Sequence, residues 1–236
     1  MKISINHISK SFQKTAVLQD ISLEVADKSI HCLLGSSGSG KTTLLRILMG
    51  ALTPDAGSVS IDAVKVPDKA LLSRIGFMPQ QDGLYAQLSI EDNLKFFAGI
   101  YGLDHTTFLK SSNELLEIVN LYDERKKIVA NCSGGMKKRV SLICAFIHQP
   151  DLIILDEPTV GIDPLLRKQI WDYLHAQKET GKTILITTHV MDEAEKCDYA
   201  SFLRNGKIII TDTIPHLVEN AKNDSLESYF FLKGEH

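Results

Sequence analysis

The sequence predicts an α/β fold in which a mainly parallel sheet is flanked by helices. Three segments, "IHCLL", "LIILD" and "TILITT", are continuous apolar runs of strand length. Such runs are typical of parallel strands that are covered on both faces. Segments with helical periodicity separate them, so strand and helix alternate along the chain as they do in α/β folds.

Two other regions depart from this alternation. Near the N-terminus, "KISINHI" and "ISLEV" alternate between apolar and polar residues, which predicts an antiparallel β subdomain with one solvated face. Residues 89–150 carry helix-like segments and no convincing strand, which predicts a helical insert. We therefore interpret residues 1–236 as one domain. Residues 1–88 and 151–236 form the core with its antiparallel subdomain, and residues 89–150 form a helical subdomain.

The C-terminal part contains a clear turn signal. Asn205 and Gly206 separate two alternating apolar runs, which predicts a β-hairpin. Beyond it, "DSLESYFFL" at 224–232 has the pattern of a short amphipathic helix that closes the domain.

Composition limits the class of protein. With 236 residues and 44% hydrophobic residues, the chain can bury a sizeable core. A net charge of -3, with no basic run longer than "KKR", argues against a nucleic-acid partner. No apolar stretch approaches the roughly 20 residues that span a bilayer, and the cysteines lack metal-site spacing. We expect a soluble chain with reduced thiols that could still attach to a membrane protein.

The stretch "LLGSSGSGKTTLL" carries the strongest motif. It fits G-x-x-x-x-G-K-[ST], follows a predicted buried strand and precedes a predicted helix, the context of a phosphate-binding loop. Backbone N–H groups and the helix N-terminus would form an anion site, with Lys41 at the β- and γ-phosphates and the Thr42 hydroxyl on Mg²⁺. The residues expected to contact ATP are Gly35, Ser36, Ser37, Gly38, Ser39, Gly40, Lys41, Thr42 and Thr43. The alternative, a flexible Gly/Ser turn, is disfavoured by the strand and helix context.

Two adjacent acids, Asp156 and Glu157, end the predicted buried strand "LIILD". Neighbouring strand residues point to opposite sides, so the two should differ in role. Asp156 is suited to hold Mg²⁺, and Glu157 to polarise an attacking water as general base. Alternatively, the pair only caps the following turn. Because a small-molecule kinase has to exclude water, this arrangement favours a P-loop NTPase that hydrolyses ATP.

Three further segments carry a resemblance to a known family. These are "NCSGGMKKR" at 131–139, "VGIDP" at 160–164 and "ITTH", which ends at His189. Together with the loop and the acid pair, in this order, they resemble the ABC ATPase family, the nucleotide-binding domains of ABC transporters. The resemblance implies a RecA-like core and two subunits that sandwich two ATP molecules head to tail.

In such a dimer, Ser133, Gly134 and Gly135 match the signature that acts on the γ-phosphate bound to the other subunit, and Asp163 matches an aspartate at the dimer seam. The alternatives are an ordinary serine N-cap for Ser133 and an ordinary "DP" helix start for Asp163, a role that could hold simultaneously.

Three more roles rest on the resemblance. Gln80 matches a glutamine that senses Mg²⁺ and the attacking water near the membrane-domain contact, with Gln81 as a possible misassignment. His189 matches the histidine that contacts the γ-phosphate. Phe12 matches the aromatic residue that stacks on adenine, although a core position is the alternative for a lone aromatic after a strand.

The phrases "GLYAQLSIEDNL", "PTVGIDPLLR" and "ITTHVMDEAEKCD" resemble the branch of these ATPases that serves ABC-2-type exporters. The resemblance implies an ATP-binding subunit that drives export through an integral membrane permease, on the cytoplasmic face of a membrane. The permease would be a separate polypeptide, or this chain would be one part of a larger transporter. Its partner subunit would be a second copy or a paralogue. Phe96, Phe97, Ile100 and Tyr101 are candidates for the docking surface, with the helix core as the alternative for each.

Two other classes of protein remain as alternatives. A soluble ABC ATPase that acts on ribosome or DNA-repair assemblies usually has two ATPase domains or long coiled-coil inserts, and this sequence has neither. A degenerate regulatory ATP binder is disfavoured because Lys41, Ser133, Asp156, Glu157 and His189 are all present.

Overall fold

The computed structural model describes residues 1–81 and 83–220 of the chain. They fall into two compact units. The first unit contains residues 1–72 and 183–220, and the second contains residues 73–81 and 83–182. The segment predicted as a helical subdomain, 89–150, belongs to the second unit. The helix predicted over 224–232 lies outside the described residues.

The elements are numbered in chain order. The strands are β1 (Ile3–Phe12), β2 (Thr15–Val25), β3 (Ile30–Leu34), β4 (Ala56–Ile61), β5 (Val64–Lys65), β6 (Ile75–Met78), β7 (Leu152–Asp156), β8 (Thr183–Thr188), β9 (Tyr199–Arg204) and β10 (Lys207–Thr213). The helices are α1 (Lys41–Leu48), α2 (Lys69–Leu72), α3 (Ile90–Ile100), α4 (His105–Ile118), α5 (Gly134–Phe146), α6 (Pro164–Glu179), α7 (Met191–Ala194) and α8 (Ile214–Glu219), and a 3₁₀ turn spans Val129–Asn131. Along these two stretches of chain, no helix has both the length and the apolar character needed to cross a bilayer.

The first unit contains an antiparallel sheet of order β2-β1-β4-β5. Its central strand places Ile3 opposite Val25 on one side and opposite Ile61 on the other. Ile3, Ile5 and Ile8 of β1 are at most 1% exposed, so one face of the strand carries the core. The predicted antiparallel β1 and β2 are confirmed, and β4 and β5 add strands that we did not predict.

The first unit also contains three strands that pair in parallel. β3 pairs in parallel with β8 and β9, and Leu34 lies opposite Thr188 and Phe202. Because the carboxyl ends of parallel strands meet at one edge of a sheet, the loop after β3 and the residue after β8 emerge at the same edge. β9 and β10 form the predicted hairpin, with φ of 48° at Asn205 and 73° at Gly206, as a two-residue turn requires.

The second unit combines helices α3 to α6 with a second parallel pair. β6 pairs with β7, and Met78 lies opposite Leu155, so the segments that follow Met78 and Leu155 emerge at a common edge. Helix α5 packs against β6 so closely that a Cβ atom on Gly76 would overlap the carbonyl oxygen of Ala145. The inward face of α5, including Val140, Ile143 and Phe146, is buried. The predicted α/β fold with parallel strands and a helical region is confirmed.

Candidate nucleotide site

Glycine is sterically required at two positions of the phosphate-binding loop. A Cβ atom on Gly35 would overlap the carbonyl oxygen of Leu203. Gly40 has φ 109°, a left-handed conformation, and precedes α1; a Cβ atom there would lie 2.7 Å from Leu18 Cδ2. The tight turn from β3 into α1 therefore depends on residues without a side chain.

Lys41 is the first residue of α1 and is 5% exposed. Its Nζ donates to the carbonyl oxygens of Gly35 at 2.8 Å and Ser36 at 3.1 Å. The ammonium group is thus held against the backbone of the loop. A buried ammonium is stabilised by an anion, so this placement suits a phosphate group.

The loop carries a second feature that suits a phosphate. The Oγ atom of Ser39 is buried and has no hydrogen-bond partner within residues 1–81 and 83–220. Buried hydroxyl groups are normally paired, so a missing partner points to a ligand. Ser36, Ser37 and Gly38 are exposed, and Thr42 and Thr43, in the first turn of α1, are half-buried. The loop therefore offers several donors beside a helix N-terminus.

Phe12 ends β1 and is 46% exposed. The Nζ atom of Lys10 lies 5.7 Å from the centroid of its ring. An exposed ring fits the proposed stacking on adenine and does not fit the alternative that Phe12 is a core residue.

His189 follows β8 and is exposed. The residue before it, Thr188, accepts a backbone hydrogen bond from the N–H group of Gly35 at 3.2 Å. The end of β8 is therefore joined to the first residue of the phosphate-binding loop, within the first unit.

In the second unit, Asp156 ends β7 and is 1% exposed, and Glu157 is 8% exposed. The side-chain amide of Gln80 donates to Glu157 Oε2 at 3.2 Å. Gln80, rather than Gln81, makes this contact. The parallel pairing of β6 with β7 thus brings together Gln80 and Glu157, which the sequence analysis linked to the attacking water.

Glu157 has φ 51°, in the left-handed region that non-glycine residues rarely adopt. Such a conformation costs roughly 1–3 kcal/mol and persists only where the surroundings enforce it. Residues in this state cluster at functional sites, which is consistent with a carboxylate held in a fixed direction.

Each unit carries oxygen donors of the kind that Mg²⁺ prefers. The first unit offers the hydroxyl of Thr42. The second offers the carboxylate of Asp156 and the amide oxygen of Gln80, since the nitrogen of Gln80 is the atom that faces Glu157. Hard oxygen ligands of this kind suit Mg²⁺. Among the described residues, no group of three or more His, Cys, Asp or Glu side chains could hold a metal ion alone.

Ser133 is the N-cap of α5, and its Oγ accepts from the backbone N–H of Met136 at 3.2 Å. The N-cap alternative is thus correct as a local description. It does not exclude the signature role, because an accepting hydroxyl still has a hydrogen to donate. Ser133 and Gly134 are exposed and Gly135 is half-buried, so this helix N-terminus is open to an anion.

Asp163 likewise caps a helix. Its Oδ1 accepts from the backbone N–H of Leu166 at 3.0 Å, and Pro164 is the first residue of α6. The predicted helix start is confirmed, and the carboxylate remains exposed.

The sequence reasoning missed the role of Arg139. Its Nη1 donates to the carbonyl oxygen of Val119 at 2.8 Å and its Nε to that of Gly135 at 3.3 Å. Arg139 therefore ties the first turn of α5 to the end of α4. Its position four residues after Gly135, one helical turn along, was the signal available in the sequence.

Comparison with known proteins gives the family. Residues 18–160 match the family model described as ABC transporter. The chain is 38% identical over 232 residues to ABC transporter G family member 20 of Dictyostelium discoideum, covering 98% of this chain and 32% of that protein. It is 38% identical over 210 residues to Nod factor export ATP-binding protein I of Cupriavidus pinatubonensis, covering 88% of this chain and 65% of that protein. The chain thus spans about a third of the length of the first relative and about two thirds of the length of the second.

Solved structures agree with this comparison. The structure of an ATP-binding subunit of an ABC transporter superposes with a TM-score of 0.91, at 28% identity, and each chain covers 100% of the other. A dimeric bacterial ABC transporter cassette gives a TM-score of 0.83 at 25% identity, covering 89% of this chain and 98% of that one. Since the family model matches well over half of the 236 residues, the chain belongs to the ABC transporter family.

Proposed function

We propose that this chain is the ATP-binding part of an ABC exporter, which hydrolyses ATP to drive substrate export through an integral membrane permease domain. The observation that carries the proposal is the phosphate-binding loop, where Lys41 is held against the loop backbone and the buried Ser39 hydroxyl has no protein partner among the described residues. The names of the relatives, which include an export ATP-binding protein, support the transport role over a ribosomal or DNA-repair role.

In the proposed reaction, the loop and Lys41 bind the ATP phosphates, and Phe12 stacks on the adenine. Thr42, Asp156 and Gln80 would hold Mg²⁺, which neutralises phosphate charge. Glu157 accepts the proton of the attacking water as general base, and the Gln80 amide fixes the direction of its carboxylate. His189 donates a hydrogen bond to the γ-phosphate.

The working unit would be a head-to-tail dimer with a second copy or a paralogue. The exposed N-terminus of α5, at Ser133 and Gly134, supplies donors that a γ-phosphate on the partner subunit can use. The exposed Asp163 would lie at the seam between subunits. The dimeric cassette among the structural neighbours supports this arrangement.

An apolar surface in the second unit suits a permease. Phe96 and Ile100 of α3 are 40% and 61% exposed, and the rings of Tyr85 and Phe96 lie 4.4 Å apart. Beside them a cavity of about 210 Å³ is lined mainly by apolar side chains, among them Phe97 and Tyr101. Exposed apolar surface of this kind marks an interaction site, and binding to a permease would place the chain at the cytoplasmic face of a membrane.

The first test measures ATP binding and Mg²⁺-dependent phosphate release by the purified chain. Lys41→Ala should weaken ATP binding about tenfold or more, because it removes the charge-assisted contact with phosphate. Lys95→Ala is the control, since Lys95 is an exposed lysine on α3. Equal affinity for ATP in the wild type, Lys41→Ala and Lys95→Ala would reject the proposed ATP site.

The second test addresses the permease. The chain is expressed in its native host, and its recovery with membranes and with a co-purifying polytopic membrane protein is measured. Phe96→Ser combined with Ile100→Ser should abolish recovery, whereas Leu109→Ser on α4 should not, although Leu109 is also 40% exposed. Recovery with ribosomes or DNA instead of membranes would favour the non-transport alternative.

A further inference from the structure

Glu193 is a buried carboxylate that the proposed reaction does not use. It lies in α7 and is 1% exposed. An ionised carboxylate is costly to bury unless hydrogen bonds compensate. The contacts of Glu193 therefore indicate what it does.

The side chain of Glu193 holds the end of β8. Its Oε2 accepts from the Thr188 hydroxyl at 2.6 Å, and the same hydroxyl accepts from the backbone N–H of Val190 at 3.1 Å. Thr188 is fully buried, and His189 lies between Thr188 and Val190. The hydroxyl thus closes a short turn around His189, and Glu193 fixes the hydroxyl.

The same residue is tied to the phosphate-binding loop. The carbonyl oxygen of Thr188 accepts from the N–H group of Gly35 at 3.2 Å. Thr188 is therefore held on one side by the loop, through its backbone, and on the other by Glu193, through its side chain. The carbonyl oxygen of Glu193 in turn accepts from Cys197 Sγ at 3.5 Å, which restrains α7.

We propose that Glu193, acting through the Thr188 hydroxyl, positions His189 relative to the phosphate-binding loop during ATP hydrolysis. This inference rests on the proposed function. When the hydroxyl is lost, His189 keeps its chemistry but loses its fixed direction. Catalysis is sensitive to such misplacement, whereas ATP binding depends on the loop and is unaffected.

The test compares four variants in an ATPase assay. Thr188→Val is nearly isosteric and should lower kcat about tenfold, with KM for ATP within about twofold of wild type. Thr188→Ser retains the hydroxyl and should restore at least half of the lost turnover. Glu193→Gln retains an acceptor oxygen and should cost less than Thr188→Val. Glu195→Gln, which changes an exposed acid two residues along the chain, is the matched control and should match wild type.

A double-mutant cycle separates positioning from a structural defect. In a His189→Ala background, Thr188→Val should cause no further loss of kcat, because there is no histidine left to position. Fully additive losses would overturn the proposal. A normal kcat in Thr188→Val beside a defective His189→Ala would also overturn it, while leaving the proposed function intact.

A spectroscopic test does not depend on turnover. With ¹⁵N-labelled histidine, Thr188→Val should shift or broaden the imidazole signals of His189, and Thr188→Ser should restore them. Unchanged signals would overturn the positioning role. If His189→Ala instead retains wild-type turnover while the signals do shift, the assigned role of His189 in the proposed function is wrong and the structural coupling stands.

Discussion

The side-chain amide of Gln80 donates a hydrogen bond to Glu157 Oε2 at 3.2 Å, from a loop that follows β6 to a residue that follows β7. The parallel pairing of these strands brings the two residues together although 76 residues separate them in the chain. Glu157 also has a left-handed backbone, with φ 51°. One side-chain contact and one backbone constraint thus fix the carboxylate that we propose as the general base.

Glu157→Gln should preserve ATP binding and slow turnover by a factor on the order of 10²–10⁴, because an amide cannot accept the proton of the attacking water. The variant should accumulate as a nucleotide-bridged dimer. Steady-state phosphate release and sedimentation with ATP measure the two effects.

Glu117→Gln, a change in an exposed glutamate of α4, is the matched control and should behave as wild type. Undiminished phosphate release by Glu157→Gln would remove Glu157 from the base role.

Gly35→Ala should destabilise the protein and weaken ATP binding. The added Cβ would overlap a backbone oxygen, that of Leu203, which cannot move without displacing β9. We expect a loss of about 1–3 kcal/mol in the free energy of unfolding, measured by urea denaturation.

Gly99→Ala provides a control of opposite sign. No atom lies within 4 Å of a Cβ atom at Gly99, which is in the last turn of α3. Alanine is the better helix former, so this variant should gain up to about 1 kcal/mol. Equal stability of the two variants would contradict the steric account of Gly35.

The head-to-tail dimer predicts complementation between subunits. Ser133→Asp retains an N-cap side chain but places a negative charge at the helix end, so it should repel the γ-phosphate while α5 stays intact. Lys41→Ala inactivates the phosphate-binding loop of its own subunit. When the two inactive variants are mixed, one of the two sites in a mixed dimer combines a normal loop with a normal signature.

Mixing should therefore restore ATP hydrolysis, up to about a quarter of the wild-type rate for random pairing of subunits. A double variant that carries both changes, mixed with wild type, forms mixed dimers without any intact site. If Ser133→Asp and Lys41→Ala form mixed dimers but recover no activity, the site is not shared between the loop of one subunit and the signature of the other.

The motifs that indicate a chemical role could be predicted from the sequence, because the residues of each motif lie close together in the chain. The loop from Gly35 to Thr42 and the cap at Ser133 depend on residues a few positions apart. By contrast, β6 has four residues and no alternating pattern, and its partner lies more than 70 residues further along the chain. Its pairing, and hence the Gln80–Glu157 contact, is a tertiary property that the local pattern does not contain.

The role of Glu193 illustrates the same limit. An acid in "MDEAEKCD" has the pattern of a solvated helix residue, like the exposed Asp192 and Glu195 beside it. Only the fold shows that Glu193 faces Thr188. The left-handed conformation of Glu157 is similarly invisible, because glutamate has no local preference for it.

His31 makes the stability of the protein depend on pH. It lies in β3, is 1% exposed, and its Nε2 is 2.7 Å from Ser201 Oγ. Its Nδ1 has no partner within the described part of the chain. Burial disfavours the charged ring and lowers the pKa of His31 from 6.5 to about 4. As the pH falls below 6.5, His31 becomes protonated in the unfolded chain while it stays neutral in the folded protein. The free energy of unfolding therefore decreases between pH 6.5 and pH 4.

His31→Gln retains a polar group for Ser201 and cannot titrate. Between pH 7 and pH 4.5, it should therefore lose about 2 kcal/mol less unfolding free energy than wild type, measured by urea denaturation. His216→Gln is the control of opposite sign, because a hydrogen bond with Asp212 raises the pKa of His216. Removing His216 takes away stabilisation at low pH, so His216→Gln should not reduce the decrease in unfolding free energy between pH 7 and pH 4.5. If the unfolding free energies of wild type and His31→Gln decrease in parallel with pH, the buried ring of His31 does not cause the loss of stability.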